Sequence, residues 1–307
     1  VKPQVEDADM RAKFLLLHAM TVLSLGNCSS RPQVVTDADP GEGPVPEIEG
    51  GDGETTLGPE TPDELLAVSP DAAPVPVYQQ NYNRLEAGKR YRIPGLTVEA
   101  ACGPDGSHCL KVSYVPNERG SPVLQFKEAI LPAREYTLSY SVKFDQAFDF
   151  VRGGKLPGFA PENHTTGCQP IEADGWSSRL MWRSQGALEI YSYDQNRSSR
   201  CGEEYRAKGF QFAKDRFYRI TQHLVLNAPA DTANGQSRLY VDGKLVASSG
   251  NLQYRKTDSP DTLIKYVFFS TFFGGDDDSW SPETTVYAYF DDLVVYPGFY
   301  LDAKAKE

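Results

Sequence analysis

No run of about eighteen consecutive apolar residues occurs in this 307-residue chain, which argues against a multi-pass membrane protein. Basic residues are scarce. The 31 Lys and Arg face 42 Asp and Glu, for a formal net charge of −11, so the chain lacks the cationic surface that nucleic-acid phosphates require. None of the five Cys stands in a C-x-x-C pair, so a zinc site is not indicated. There is no Ser/His/Asp order, phosphate-cradling Gly loop, metalloprotease helix motif or internal repeat. Only three Met accompany 17 Tyr and 15 Phe, and with 26 Gly and 22 Pro this balance favours strands and turns over long helices.

The acidity is concentrated. Between residues 29 and 77 stand Asp37, Asp39, Glu42, Glu47, Glu49, Asp52, Glu54, Glu60, Asp63, Glu64 and Asp71 against Arg31 alone. The stretch has many Pro and Gly and no aromatic residue, so it cannot bury enough apolar surface to offset its ordering entropy. It reads as an extended, self-repelling linker, and residues 78–307, close to neutral, read as one domain.

Residues 1–28 read as a signal segment. Met10-Arg-Ala-Lys13 is basic and Phe14 to Leu25 is apolar over about a dozen residues, a length that suits secretion and is short for a membrane span. Met10 is the expected translation start. Leu25-Gly26-Asn27-Cys28 is similar to a bacterial lipobox, with Asn27 departing from the small residue such boxes carry. Lipidation of Cys28 is therefore expected, with ordinary cleavage near Gly26 as the alternative. Either makes the protein exported, as an outer-membrane or cell-surface lipoprotein or in secreted form. The only membrane association expected is the lipid anchor. The remaining Cys allow three pairings, of which Cys102–Cys109 and Cys168–Cys201 are expected in an oxidising compartment.

In residues 78–307, short β-rich runs alternate with turn signals: 110–115, 136–144, 178–183, 188–193, 218–226, 237–241, 265–271 and 286–296. Asp242-Gly243 between alternating runs marks a hairpin. The expected fold is all-β, an antiparallel β-sandwich of jelly-roll, concanavalin-like type.

The chemistry concentrates in residues 148–194. There Gly153-Gly154-Lys155-Leu156-Pro157-Gly158 precedes Trp176-Ser-Ser-Arg-Leu-Met-Trp-Arg183 and Glu189-Ile-Tyr-Ser-Tyr193. A three-residue turn at Ser184-Gln185-Gly186, with Gly186 in the left-handed region, pairs the last two runs. Arg179 then lies opposite Tyr191, and Ser177 opposite Tyr193. Strand alternation adds Arg183 and Glu189 to the same face. Leu180, Trp182, Leu188 and Ile190 take the other. The alternative is a solvated face with surface Arg and packing Tyr. Lys155, on a sharply bent chain beside this face, weighs against it.

These motifs together resemble the family 14 polysaccharide lyases, which include alginate lyases and glucuronan-cleaving enzymes on a β-jelly roll. The resemblance runs from about Tyr136 to Val295 and includes Phe272-Phe-Gly-Gly275. It implies that Lys155, Ser177, Arg179, Tyr191 and Tyr193 line an active cleft. It also implies an acidic polysaccharide as the partner, cleaved by β-elimination. The chain departs from the family at Phe159-Ala-Pro-Glu-Asn-His164, a difference that bears on substrate choice more than on chemistry.

The residue types suit such a reaction. Removal of a uronate C5 proton requires the adjacent carboxylate charge to be offset, and Arg179 can do this in fork geometry. Lys155 can share that role, or act as base if neighbouring cations depress its pKa. A phenol serves as base only if its pKa falls from about 10, and the nearby cations are expected to push it that way. Tyr191 and Tyr193 are both acid/base candidates. Ser177, Arg183, Glu189 and His164 are candidate substrate contacts, Ser177 as an orienting hydrogen-bonder.

No cofactor or structural metal is expected. Asp276-Asp277-Asp278 and Asp291-Asp292 carry oxygen ligands that would suit calcium, though for Asp276–Asp278, in a Gly-rich turn, a solvated loop is the default reading. The chain is expected to act as a monomer. Two further readings remain. One is a non-catalytic carbohydrate-binding jelly roll on the cell surface, which would not need Lys155 beside the Arg/Tyr face. The other is a glycoside hydrolase, disfavoured because Glu189 has no second carboxylate at hydrolase spacing.

Overall fold

The computed structural model describes residues 73–302. The signal-like segment with Cys28, and the acidic linker up to residue 72, lie outside the described residues. The amide of Val77 already donates to the Val295 carbonyl (2.9 Å), so sheet pairing begins just ahead of the first strand.

Two antiparallel sheets make the sandwich. One has eight strands in the order β12 (Lys244–Leu252), β11 (Gly235–Val241), β10 (Phe217–Val225), β5 (Glu135–Phe144), β14 (Val286–Pro297), β3 (Cys109–Tyr114) and β2 (Leu96–Glu99). In that sheet the short β1 (Tyr78–Gln80) pairs with β14 at residues Leu293 to Val295. The other sheet has six strands in the order β4 (Leu124–Ala133), β13 (Ile264–Phe273), β6 (Gly153–Ala160), β7 (Ser177–Arg183), β8 (Ala187–Tyr193) and β9 (Glu203–Gln211). The expected jelly-roll-like β-sandwich is therefore the observed architecture.

Period-two alternation builds the core between the sheets. From β5 come Tyr136, Leu138, Tyr140, Val142 and Phe144; from β7, Leu180 and Trp182; from β8, Leu188 and Ile190. Below the middle of the six-stranded sheet, Trp182 lies edge-on to Tyr114, Phe144, Phe148 and Phe273, with ring centroids 5.2 to 5.7 Å apart. Edge-to-face aromatic packing of this kind is worth about 0.5–1.5 kcal/mol per pair beyond area burial, which makes a stiff floor. Part of the outer face of the eight-stranded sheet is covered too. There Arg219 pairs with Asp302, and Phe299 packs on His223 and Tyr240.

That leaves the outer face of the six-stranded sheet. Its apolar residues form a separate small cluster of Met181, Tyr191 and Tyr193, with Ile171 and Trp280 packed against it from two loops. Both disulfides expected from the sequence are present. Cys102–Cys109 closes a small loop, and Cys168–Cys201 joins the loop before β7 to the loop after β8.

Candidate active site

β6 is a strand although its sequence reads as a bend. Lys155 pairs with Met181 and Leu156 with Leu180, but Phe159 pairs with Ser178, so one extra residue bulges opposite Arg179. A second irregularity falls on the β13 side, between Phe268 and Phe272. Pro157, which has no amide proton, occupies this interrupted stretch of ladder. Two glycines admit close neighbours. A Cβ on Gly154 would lie 2.1 Å from the Trp182 ring, and one on Gly158 would lie 2.1 Å from the Ser178 carbonyl oxygen and 2.6 Å from Arg179 Cα. Lys155 is thereby held between the Trp182 floor and the outer face.

The β7–β8 hairpin has the register that the sequence predicts. Ser177 faces Tyr193 and Arg179 faces Tyr191, while Met181 faces Glu189. Gln185 and Gly186 both take positive φ in the turn. The structure adds Met181, which shares the alternation of Arg179 and Arg183. Its sulfur accepts from Lys155 Nζ at 2.7 Å. The same Nζ lies 4.0 Å from the centre of the Tyr191 ring.

Burial sets the protonation of these groups. Lys155 is 8% exposed. Its amine is held well below the ordinary lysine range by burial first, then by Arg179 and Arg183, with Glu189 and Glu204 opposing. Arg179 is 1% exposed, lies over the Phe268 ring at 5.3 Å and donates to Ser270 Oγ at 3.2 Å. Its Nε has no partner, and among the described residues no carboxylate pairs with it. Burial lowers its pKa to about 10. The Tyr191 phenol moves opposite to the expectation. Burial and the Tyr193 phenol push it up, and the downward pull of the Gly202 amide and Arg179 is smaller. The charges are present, but desolvation outweighs them.

The other candidates are used differently. Ser177 is fully buried and donates to the Thr165 carbonyl at 2.7 Å, pinning the loop before β7. Arg183 Nε donates to the fully buried Glu189 carboxylate at 2.6 Å, and Arg183 also pairs with Glu204. Arg206 closes this group, 3.7 Å from Glu189 and 3.6 Å from Glu204. Arg183 and Glu189 thus hold each other at one end of the face. His164 packs edge-on to Phe268 (4.7 Å) and lines a cavity of about 470 Å³ with Lys127, Thr166, Gln169 and Glu172, among others. Burial, then Lys127 and Arg179, lowers its pKa to about 4, so it is neutral near pH 7.

Of the groups with calcium-like chemistry, Asp277 accepts from the Ser279 amide at 2.9 Å, and Asp291 from the Ser107 hydroxyl at 2.8 Å. Among the described residues no three His, Cys, Asp or Glu side chains converge as a metal site would require.

Comparison with known proteins decides the family. The profile described as polysaccharide lyase 14 matches residues 108–293, more than half of the chain and all of β6, β7 and β8. The chain belongs to the polysaccharide lyase 14 family. Solved structures share its fold at low identity. The alginate lyase Aly36B is 21% identical, with a TM-score of 0.61, over 74% of this chain and 100% of its own. A marine PL-14 alginate lyase from Aplysia kurodai is 21% identical, with a TM-score of 0.60, over 73% and 99%. An endo-β-1,4-glucuronan lyase from the fungus Trichoderma reesei is 13% identical, with a TM-score of 0.51, over 73% and 97%. No curated protein sequence matches the chain.

Proposed function

We propose that the chain is an exported lyase that cleaves a uronic-acid polysaccharide of alginate or glucuronan type by β-elimination. The observation that carries this reading is Arg179, a buried guanidinium with an open Nε and no carboxylate of its own. A desolvated cation of this kind is costly unless an anion completes it, and a uronate carboxylate fits its fork. Solved structures of Aly36B with an alginate trisaccharide and an alginate tetrasaccharide support an acidic polymer as the ligand.

In this reading Arg179 offsets the uronate carboxylate and so acidifies C5–H. The Lys155 amine, whose hold on a proton is weakened by burial and the nearby Arg179 and Arg183, takes the C5 proton. The C5–H electron pair forms the C4–C5 double bond, and the C4–O4 bond breaks. A phenol of the Tyr191–Tyr193 pair gives its proton to the departing oxygen. Tyr191, whose pKa is raised, carries that proton at neutral pH. The export half of the proposal rests on the Met10–Leu25 segment and Cys28, and the acidic stretch before residue 78 would be its linker.

The test is incubation of the purified chain with alginate, polymannuronate, polyguluronate and glucuronan. Ultraviolet-absorbing unsaturated uronide ends are the expected product. Saturated reducing ends would indicate hydrolysis, and retention without cleavage a binding module. Either result overturns the proposal.

A further inference from the structure

Both candidate phenols accept a backbone amide hydrogen bond, and the two amides flank one disulfide. The Cys168 amide donates to Tyr193 Oη at 2.9 Å. The Gly202 amide, next to Cys201, donates to Tyr191 Oη at 3.0 Å. Cys168 lies in the loop before β7 and Cys201 in the loop after β8, and Cys168–Cys201 is their covalent link. We propose that this disulfide is a positioning device, which fixes two amide donors over the phenols and so sets the direction in which the pair presents its proton. This rests on the lyase reading of the same site.

The geometry gives the bond a specific task. A phenol oxygen that accepts an N–H keeps its own proton free to donate. Each amide also favours the phenolate left after proton transfer, because a hydrogen bond to the charged form stabilises it. A loop amide can do this only if its loop is held, and both loops are otherwise irregular chain. Cys168 itself has a left-handed backbone, φ 61°, which turns its amide toward Tyr193. Gly202 packs so closely on Tyr191 that a Cβ would lie 2.8 Å from the ring Cζ. Other ties keep the loops folded without the disulfide. Arg197 donates to the carbonyls of Gln169 (2.6 Å) and Cys201 (3.3 Å) and lies 4.9 Å from the Tyr193 ring centre, while Gln195 Nε2 donates to Glu172 and Gly175. Loss of the bond is therefore a change of aim rather than of fold. The charged groups facing the phenols are Lys155 from β6, Arg179 from β7, Glu204 from β9 and Arg197 from the loop after β8. None is itself substituted or reduced when the bridge is opened.

The experiment compares the wild type with a Cys168→Ser/Cys201→Ser double variant, and with Cys102→Ser/Cys109→Ser as the disulfide control. A water-soluble trialkylphosphine provides a reversible version: one phosphine and one water reduce the bridge to two thiols, the phosphine giving two electrons and taking the water's oxygen to become its oxide, and the water's two protons going to the sulfurs. With melting temperature and circular dichroism confirming the fold, kcat on a polyuronate is expected to fall ten-fold or more in the 168/201 variant, with KM changing less than three-fold. The alkaline limb of its kcat profile is expected to move up in pH, since the Tyr191 phenol loses the Gly202 amide, a donor that favours its ionisation. The 102/109 variant should keep the wild-type profile. Amide hydrogen exchange supplies a readout that needs no activity. Protection at Cys168 is expected to drop in Tyr193→Phe, and protection at Gly202 in Tyr191→Phe and in the 168/201 variant. Unchanged exchange overturns the proposal even if the chain is a lyase, as do an unchanged kcat and pH profile in a folded 168/201 variant. A chain inactive on every polyuronate that still shows the exchange changes overturns the lyase reading and leaves the loop coupling standing.

Discussion

Lys155 Nζ lies over the Tyr191 ring, 4.0 Å from its centre, with the Met181 sulfur 2.7 Å away on the neighbouring strand. A thioether and the face of a phenol ring solvate an ammonium poorly compared with water. The amine therefore sits in a pocket that favours its uncharged form. This pairing makes Lys155 suitable as a proton acceptor rather than as a fixed positive charge.

Substitution at Lys155 separates those two roles. Lys155→Ala is expected to lower kcat by about 10²–10⁴-fold, the range of a positioned general base. Lys155→Arg keeps the charge but cannot deprotonate, and should be as inactive as Lys155→Ala in a steady-state assay. Recovery of activity in Lys155→Arg would assign the residue to electrostatic stabilisation instead.

The pH dependence of stability follows from the same burial. The folded-state pKa of Lys155 is below its ordinary value of 10.5, so the unfolded chain binds the proton more readily. Stability is thus lost as pH falls below about 10.5, and the loss levels off below the folded-state pKa. Lys155→Met should raise the melting temperature at neutral pH, and the gain should vanish above about pH 10.5. A gain that grows with increasing pH would contradict the assignment.

His164 bears on the acid side. With a folded-state pKa of about 4 against 6.5, it stays neutral through the physiological range, and the unfolded chain binds its proton first. Stability from this group is complete above about pH 6.5 and declines as pH falls toward 4. His164→Asn should flatten that decline in denaturant titrations, and should leave the pH profile of activity between pH 5 and 8 unchanged.

Arg183 and Glu189 form a pair whose loss should be felt in folding first. Arg183→Met leaves the buried Glu189 carboxylate with only Arg206 at 3.7 Å. Removing one partner of a buried ion pair costs about 3–5 kcal/mol, measurable as a shift in urea midpoint. A variant as stable as the wild type would show that the pair is not a structural tie.

Gly158→Ala tests the bulge opposite Arg179. Its Cβ would meet backbone atoms of Ser178 and Arg179, which cannot rotate away as a side chain could. A cost of about 1–3 kcal/mol is expected, together with reduced turnover because Arg179 Cα is one of the atoms pushed. Normal stability and turnover would mean that β6 and β7 can separate freely.

The sequence made the β7–β8 register legible because a hairpin is local. Its turn and its alternation fix which side chains face each other, and Arg179 over Tyr191 follows. Met181 was open to the same alternation. β6 was harder, since Gly153-Gly154 and Pro157-Gly158 are turn signals in isolation. They become strand residues only between β7 and β13, one of which is more than a hundred residues away. The Arg183–Glu189 pair is on the expected face, but sequence cannot say that the two charges also meet each other. The direction of the Tyr191 shift escapes the sequence for a related reason. Charges can be read from sequence, whereas the depth of burial that outweighs them belongs to the fold.

The Trp182 floor has a consequence for how such a site can diversify. The side chains proposed to move protons or to offset the carboxylate charge stand on β6, β7 and β8, over rings locked into the core. The rim around them comes in part from the loops that carry Ile171 and Trp280. Insertions or exchanges there could retune polymer preference while the proton-transfer geometry stays put. The points where a loop amide bonds a phenol oxygen, Cys168 and Gly202, would resist such drift most. Evolutionary freedom in this fold should therefore be high along the rim and low at two backbone amides.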